Sequence, residues 1–158
     1  MGKKIVPWLW FDGNAEEAVN YYLSVFPDAS ISESTHYPEG TPMAGQVLTI
    51  TFRLFDQEFG AINAGPEFRF NEAVSFQIEC EDQQECDYYW DSLTANGGEE
   101  SMCGWLKDRY GLSWQIVPRQ FTELMAKASP AQASAMFEAL MSMRRLDVAA
   151  FQRAYDAA

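Results

Sequence analysis

The sequence passes twice through the same order of secondary-structure signals, and this repeat limits the folds open to it. The first pass is a strand, a helix and three further strands. The helix begins after Asn14, with Glu17 in the position of a capping box, and it ends before Pro27. Alternating or apolar stretches predict the four strands at residues 5–11, 30–36, 46–54 and 58–64.

The second pass repeats this order from about residue 73. Asp82 is predicted to cap its helix, again with a glutamate, Glu85, three residues later. The apolar stripe of this helix has helical spacing and consists of Cys86, Tyr89, Trp90 and Leu93. The strands are predicted at residues 73–80, 101–107 and 112–117. Two passes through one order predict two modules of the same α+β design.

The sequence after Pro118 is predicted to be helical to its end. Ser129 precedes Pro130, and Gln132 completes a capping box, while Asp147 is placed to cap a last helix. No linker is long enough to separate these helices from the modules. We therefore predict a single domain with three parts: module one at about 4–66, module two at about 72–118, and a C-terminal helical segment at about 119–158.

The charge of the chain excludes some classes of partner. Eleven basic residues stand against 23 acidic ones, which gives a net charge of −12. Such a protein repels phosphate backbones and anionic lipid, so we expect no nucleic-acid partner and no membrane partner.

Apolar runs and cysteines indicate the compartment. No run approaches the ~18 uncharged residues of a membrane helix, and the run at 5–11 is too short for a signal peptide. The three cysteines, Cys80, Cys86 and Cys103, form no CxxC pair, which favours free thiols in a reducing compartment. We expect a cytoplasmic protein.

The first strand has two apolar faces. Leu9 and Phe11 are expected to face a helix, and Trp8 and Trp10 then point to the other side. We expect this strand to be buried on both sides.

Three segments resemble the PhnB-like family of the glyoxalase/bleomycin-resistance/dioxygenase superfamily, a family that also carries the label 3-demethylubiquinone-9 3-methyltransferase-like. The segments are Phe11–Ala18 followed by Tyr21–Tyr22 and Phe26–Pro27, Asn63–Pro66 with Phe68, Phe70 and Asn71, and Cys103–Pro118. The helical tail is also similar to family members. The resemblance implies an α+β fold in which two βαβββ modules form a cupped mixed sheet, and it implies that two chains pair as a homodimer.

The superfamily's metalloenzymes hold a divalent ion on cup-facing strand positions. The resemblance maps these positions to Val6, Ser75 and Gln115, with a fourth near Ala61 or Asn63. Valine cannot ligate, and serine and amides are weak ligands for zinc, nickel or iron. We therefore expect no metal and no cofactor.

The methyltransferase label is not supported by the residues. A methyltransferase of the usual type has a glycine-rich loop between its first strand and the following helix. That junction contains only Gly13 here, and Gly97 with Gly98 follows a helix instead.

The residues predicted to contact a ligand lie on cup-facing positions or in the family-like segments. Aromatic walls with a few hydrogen-bonding groups suit a flat or hydrophobic small molecule. The ligand-binding residues are predicted to be Trp8, Trp10, Asn63, Ser75, Gln77, Trp105 and Gln115. The direction of the Trp105 side chain is ambiguous. For Trp8 and Trp10, the sequence is equally consistent with contact to a ligand and with simple filling of the cup or of a dimer seam. No catalytic residue is assigned.

Two classes of function therefore remain. The first is a small-molecule binding protein or metal-independent enzyme of the superfamily, and the second is a divalent-metal-dependent lyase, isomerase or dioxygenase. A methyltransferase is less favoured. An interaction protein whose cup is filled by its own side chains is a further alternative.

Overall fold

The computed structural model describes residues 5–158. The chain forms two compact units, of which the first ends at Phe70 and the second runs from Asn71 to Ala158. The predicted start of module one at about residue 4 lies outside the described residues. Among the helices at residues 5–158, none combines the length and the apolar character needed to cross a membrane.

The first unit is one four-stranded sheet with one helix. The elements are β1 (Trp8–Phe11), α1 (Ala15–Val25), β2 (Ser30–His36), β3 (Val47–Leu54) and β4 (Gln57–Asn63). The strand order is β1-β4-β3-β2, with β1 parallel to β4 and the other pairs antiparallel.

The second unit repeats this topology. Its elements are β5 (Ser75–Cys80), α2 (Gln83–Thr94), β6 (Glu99–Glu100), β7 (Trp105–Lys107) and β8 (Ser113–Pro118). The strand order is β5-β8-β7-β6, and β5 is parallel to β8. The predicted α+β fold with two βαβββ modules is thereby confirmed. The strand β6 was not predicted, because two exposed glutamates carry no apolar alternation.

Each helix packs on one face of its own sheet. In the first unit the Tyr22 ring of α1 stacks on Phe52 of β3, with 6.3 Å between the centroids and 13° between the planes. In the second unit the predicted stripe of α2 is buried throughout, and Trp90 and Leu93 have no exposed surface. Burying one face leaves the other face of each sheet without a helix from its own module.

The strand β1 shows the effect of this one-sided packing. Leu9 and Phe11 are 4% and 3% exposed, whereas Trp8 is 56% exposed and Trp10 is partly buried. The expectation that β1 is buried on both sides is therefore wrong for the single chain. The predicted alternation of the strand is confirmed, but only the face toward α1 is covered by a helix of this unit.

The predicted N-cap of α1 is replaced by a residue from a distant strand. Asn14 has φ −111° and ψ 22° and makes no side-chain cap bond. Those angles depart from the extended conformation in which a cap side chain reaches the next turn. The backbone N–H of Ala15 instead donates to Oδ1 of Asn63 at 2.9 Å, and Nδ2 of Asn63 donates to the Val47 carbonyl at 3.1 Å. Asn63 therefore joins α1, β3 and β4.

The cap of α2 is local, as predicted. Asp82 is extended, with φ −153°, and its Oδ1 accepts a hydrogen bond from the Glu85 backbone N–H at 2.9 Å. The unpaired N–H groups at the start of each helix are thus bonded differently in the two modules: by Asn63 of a distant strand in α1, and by the adjacent Asp82 in α2.

The C-terminal segment forms three helices with their own small core. They are α3 (Arg119–Lys127), α4 (Pro130–Ser142) and α5 (Val148–Ala157). The capping box of Ser129 and Gln132 is present, and Asp147 accepts a bond from the Ala150 N–H at 2.9 Å, as predicted. Met136 and Phe151 are fully buried between the helices.

The tail docks on the loop between β6 and β7. The backbone N–H groups of Cys103 and Gly104 donate to the carbonyls of Met143 and Arg144, each at 2.8 Å. Gly104 has φ +82°, and a Cβ there would lie 2.9 Å from both the Ile116 carbonyl oxygen and a Leu146 methyl carbon. A glycine is required at this position by both its backbone angle and the approach of the tail.

We predict that Asn63→Ala destabilises the protein far more than Asn14→Ala. The first change leaves two buried backbone groups without partners, so the free energy of unfolding should fall by about 2–4 kcal/mol. The second removes an exposed amide without a cap bond and should stay within about 0.5 kcal/mol of the parent. Urea denaturation followed by circular dichroism measures both. Equal losses in the two variants would contradict the role of Asn63.

Candidate functional site

The uncovered face of the first sheet carries aromatic side chains. Cross-strand pairing sets Trp8 beside Gly60 and Trp10 beside Ile62 on the face away from α1. Ala61 and Asn63 pair with Leu9 and Phe11, so they lie on the helix-covered face. The placement of a cup-facing position near Ala61 or Asn63 is therefore wrong by one residue.

Gly60 sets the position of the exposed Trp8 ring. A Cβ built on Gly60 would overlap ring carbons of Trp8, so the indole lies directly against the bare backbone of β4. More than half of the Trp8 surface remains exposed. The neighbouring strand thus supports one side of the ring and leaves the other accessible.

Trp10 is fixed by the segment that follows β4. Its Nε1–H donates to the Gly65 carbonyl at 2.8 Å. The ring of Phe68 packs edge-on against Trp10, with 4.8 Å between the centroids and 78° between the planes. Phe68 is itself 58% exposed, and it joins Trp8 and Trp10 in one aromatic surface of the first unit. Phe68 belongs to the family-like segment that begins at Asn63, but it was not among the residues predicted to contact a ligand.

The uncovered face of the second sheet carries polar side chains and one tryptophan. Gln115 of β8 pairs with Gln77 of β5 on one side and with Trp105 of β7 on the other. Nε2 of Gln115 donates to Oγ of Ser75 at 2.8 Å. The register therefore resolves the ambiguous direction of Trp105, which shares a face with Ser75, Gln77 and Gln115.

The opposite face of this sheet belongs to the core. Trp114 and Ile116 are 2% and 1% exposed. Nε1 of Trp114 donates to Oδ2 of the buried Asp108 at 2.9 Å. Oδ1 of Asp108 accepts from the backbone N–H groups of Tyr110 and Leu112 at 2.9 and 3.1 Å. Asp108 thus holds the turn between β7 and β8, a role that the turn pattern alone did not reveal.

The predicted ligand-binding residues fall into three groups. Trp8 and Trp10 share the uncovered face of the first sheet. The second sheet contributes a separate group on its own uncovered face: Ser75, Gln77, Trp105 and Gln115. Asn63 belongs to neither, because both ends of its amide are bonded inside the first unit. The convergence of the two faces on one cavity stays a prediction.

The residues at the expected metal positions do not fit a metal. On the uncovered face of β4 the candidates become Gly60 and Ile62, neither of which can ligate. The Gln115 amide already donates to Ser75. Within residues 5–158, no group of three or more His, Cys, Asp or Glu side chains is arranged to hold an ion.

Cys80 offers no thiolate ligand in the core. Cys80 and Cys86 are buried and are free thiols. A hydrogen bond with Cys86, together with burial, raises the pKa of Cys80, so this thiol stays protonated. Cys103 is partly exposed, and its thiol contacts the Met141 sulfur at 3.7 Å on the docked tail.

Comparisons with known proteins agree with this architecture. A family model described as 3-demethylubiquinone-9 3-methyltransferase matches residues 3–117. A PhnB protein from Bacillus cereus is 36% identical, with a TM-score of 0.67 over 73% of this chain and 99% of that chain. A comparison with curated proteins found no match.

More distant structures share the fold alone. A protein from Pseudomonas aeruginosa is 19% identical, with a TM-score of 0.62 over 74% of this chain and 98% of that chain. The fosfomycin resistance protein FosX from Mesorhizobium loti is 13% identical, with a TM-score of 0.56 over 80% of this chain and 99% of that chain.

The family match ends before α3, so the similarity of the tail to family members stays a prediction. The match covers both βαβββ modules and includes all three family-like segments apart from the final residue, Pro118. The chain therefore belongs to the PhnB-like family described as 3-demethylubiquinone-9 3-methyltransferase.

Proposed function

We propose that the protein binds a small molecule on the uncovered faces of its two sheets, and that it sequesters or converts this molecule without a metal. The observation that carries the proposal is the aromatic surface of Trp8, Trp10 and Phe68. Two of these three rings, Trp8 and Phe68, are more than half exposed. Clustered exposed aromatic rings mark binding surfaces in soluble proteins.

The uncovered face of the second sheet supplies polar groups that could bind the same molecule. Gln77 is exposed, and Ser75, Trp105 and Gln115 are partly buried on the same face. A hydroxyl, two amides and an indole supply both donors and acceptors. Such groups orient a ligand whose affinity comes from apolar contact.

Methyl transfer is not proposed, in spite of the family's description. Each sheet has one parallel pair and two antiparallel pairs, which differs from the parallel sheet that holds nucleotide cofactors at its switch point. At the start of α1 the Ala15 N–H is bonded to Asn63, and Glu16 and Glu17 follow in the first turn. The Ala15 N–H is therefore not free to bind a cofactor.

We also propose that two chains pair as a homodimer in the cytoplasm. Pairing would cover apolar surface such as Trp8 and Phe68 around a bound molecule. The three cysteines are free thiols, which fits the reducing interior of a cell.

Trp10→Ala is expected to abolish binding of any ligand found by tryptophan fluorescence in a metabolite screen. The variant should lose less stability than Trp114→Ala, which removes a buried ring and should cost about 3–5 kcal/mol. Thermal melts and titration of the same ligand give the comparison. Unchanged affinity in Trp10→Ala, with the protein folded, would refute the proposed site.

Purified protein is expected to contain no stoichiometric transition metal, because Val6 and Ser75 stand at ligand positions that they cannot fill well. Elemental analysis by mass spectrometry measures this, and treatment with a chelator should leave the melting temperature unchanged. Stoichiometric zinc, nickel or iron that disappears in Gln115→Ala would overturn the expectation.

The homodimer should bury well over ~1,000 Å² in total, the size of a specific interface. Sedimentation velocity at micromolar concentration should therefore give twice the mass of the chain. A monomer under those conditions argues against the pairing.

A further inference from the structure

The second unit contains a cavity of about 250 Å³ beside the strands β6, β7 and β8. It is lined by Glu72, Glu99, Glu100, Ser101, Trp105, Leu106, Lys107 and Ser113. Trp105 belongs to the site proposed above, and the other lining residues do not. The cavity therefore extends that site toward the edge of the sheet.

Three of the lining residues form a row across the strands. Ser113 of β8 pairs with Lys107 of β7, and Lys107 pairs with Glu99 of β6. Paired residues point to the same face, so the hydroxyl, the ammonium and the carboxylate are neighbours on the uncovered side of the sheet.

The Ser113 hydroxyl needs a partner. Ser113 is 1% exposed, and among residues 5–158 its Oγ meets no hydrogen-bonding group. A buried hydroxyl without a partner costs free energy, and such groups are usually satisfied by water or by a ligand. Ser113 thus points to a molecule in the cavity that carries a hydrogen-bonding group.

The charges around the cavity favour a cation. Lys107 is ion-paired with Glu72, and the hydrogen bond from Lys107 lowers the pKa of Glu72, which keeps this carboxylate ionised. Glu100 is engaged elsewhere, because its carboxylate accepts from Trp90 Nε1 at 2.9 Å and lies 3.7 Å from Arg144. Glu99 adds a negative charge that the Lys107–Glu72 ion pair does not neutralise.

An anionic ligand fits this surface poorly. Lys107 is the single cation among the lining residues, and an anion approaching it meets the carboxylates of Glu72 and Glu99. Trp105, a partly buried residue of the lining, presents an indole, and indoles attract organic cations.

We propose that the cavity holds the ammonium group of an organic amine, which donates to the Ser113 hydroxyl and the Glu99 carboxylate beside the Trp105 ring. This inference rests on the proposed function and names the class of its ligand. The net charge of −12 draws cations toward the protein and suits the same class.

The test compares three primary amines, methylamine, butylamine and phenethylamine, with the alcohols of the same carbon skeletons and with phenylacetate. Binding is followed at neutral pH by NMR chemical shifts of the backbone and indole N–H groups. At least one amine should bind about tenfold more tightly than its alcohol, because only the ammonium is charged. Phenylacetate should not bind, so its addition should not change the chemical shift of the Lys107 backbone N–H.

Matched variants locate the binding. Glu99→Gln keeps the shape of the side chain and should weaken the amine about tenfold. Glu39→Gln makes the same charge change at an exposed position of the first unit and should have no effect. Ser113→Ala should also weaken the amine, yet it should not lower the melting temperature, because it removes a hydroxyl without a partner.

Several outcomes overturn the inference. They are equal binding of amines and alcohols, no amine binding up to about 10 mM, an unchanged affinity in Glu99→Gln, and a crystal structure with amine present that shows only water at Ser113. If no amine binds but a neutral ligand does, and Trp10→Ala abolishes binding of the neutral ligand, the proposed function stands and the amine inference alone fails.

Discussion

The structure depends on one constraint, which is that successive side chains of a strand point to opposite faces of the sheet. Each module has one helix against its sheet, so burying Leu9 and Phe11 under α1 turns Trp8 and Trp10 outward. Burying Trp114 in the second module turns Gln115 outward in the same way. The chemistry of the uncovered faces therefore follows from the packing of the core.

Two buried polar side chains hold the framework on which these faces are built. Asn63 connects the start of α1 to β3 and β4, and Asp108 connects the turn after β7 to Trp114 of β8. Both have their hydrogen bonds satisfied inside the protein, and buried polar groups arranged in this way specify one geometry. Asn63 and Asp108 therefore have structural roles in the family-like segments that contain them. Membership of such a segment does not by itself show that a residue contacts a ligand.

The same distinction applies to Cys103 and Gly104. Both residues lie in a family-like segment, and their backbone N–H groups donate to the carbonyls of Met143 and Arg144 in the C-terminal tail. The tail lies beyond the family match and forms its own core around Met136 and Phe151. The positive φ of both residues suits a loop on which a helical segment docks.

The sequence by itself determined the repeated order of elements, the helix caps at Asp82, Ser129 and Asp147, and which face of each long strand is apolar. These features are local, since they depend on spacing and on residues within one turn. Only the tertiary structure decided that Asn63 replaces Asn14 as the cap of α1, that Phe68 covers Trp10, and that Trp105 shares a face with Gln115. Each of these depends on pairing between segments far apart in the chain, and periodicity within a segment does not specify register between segments.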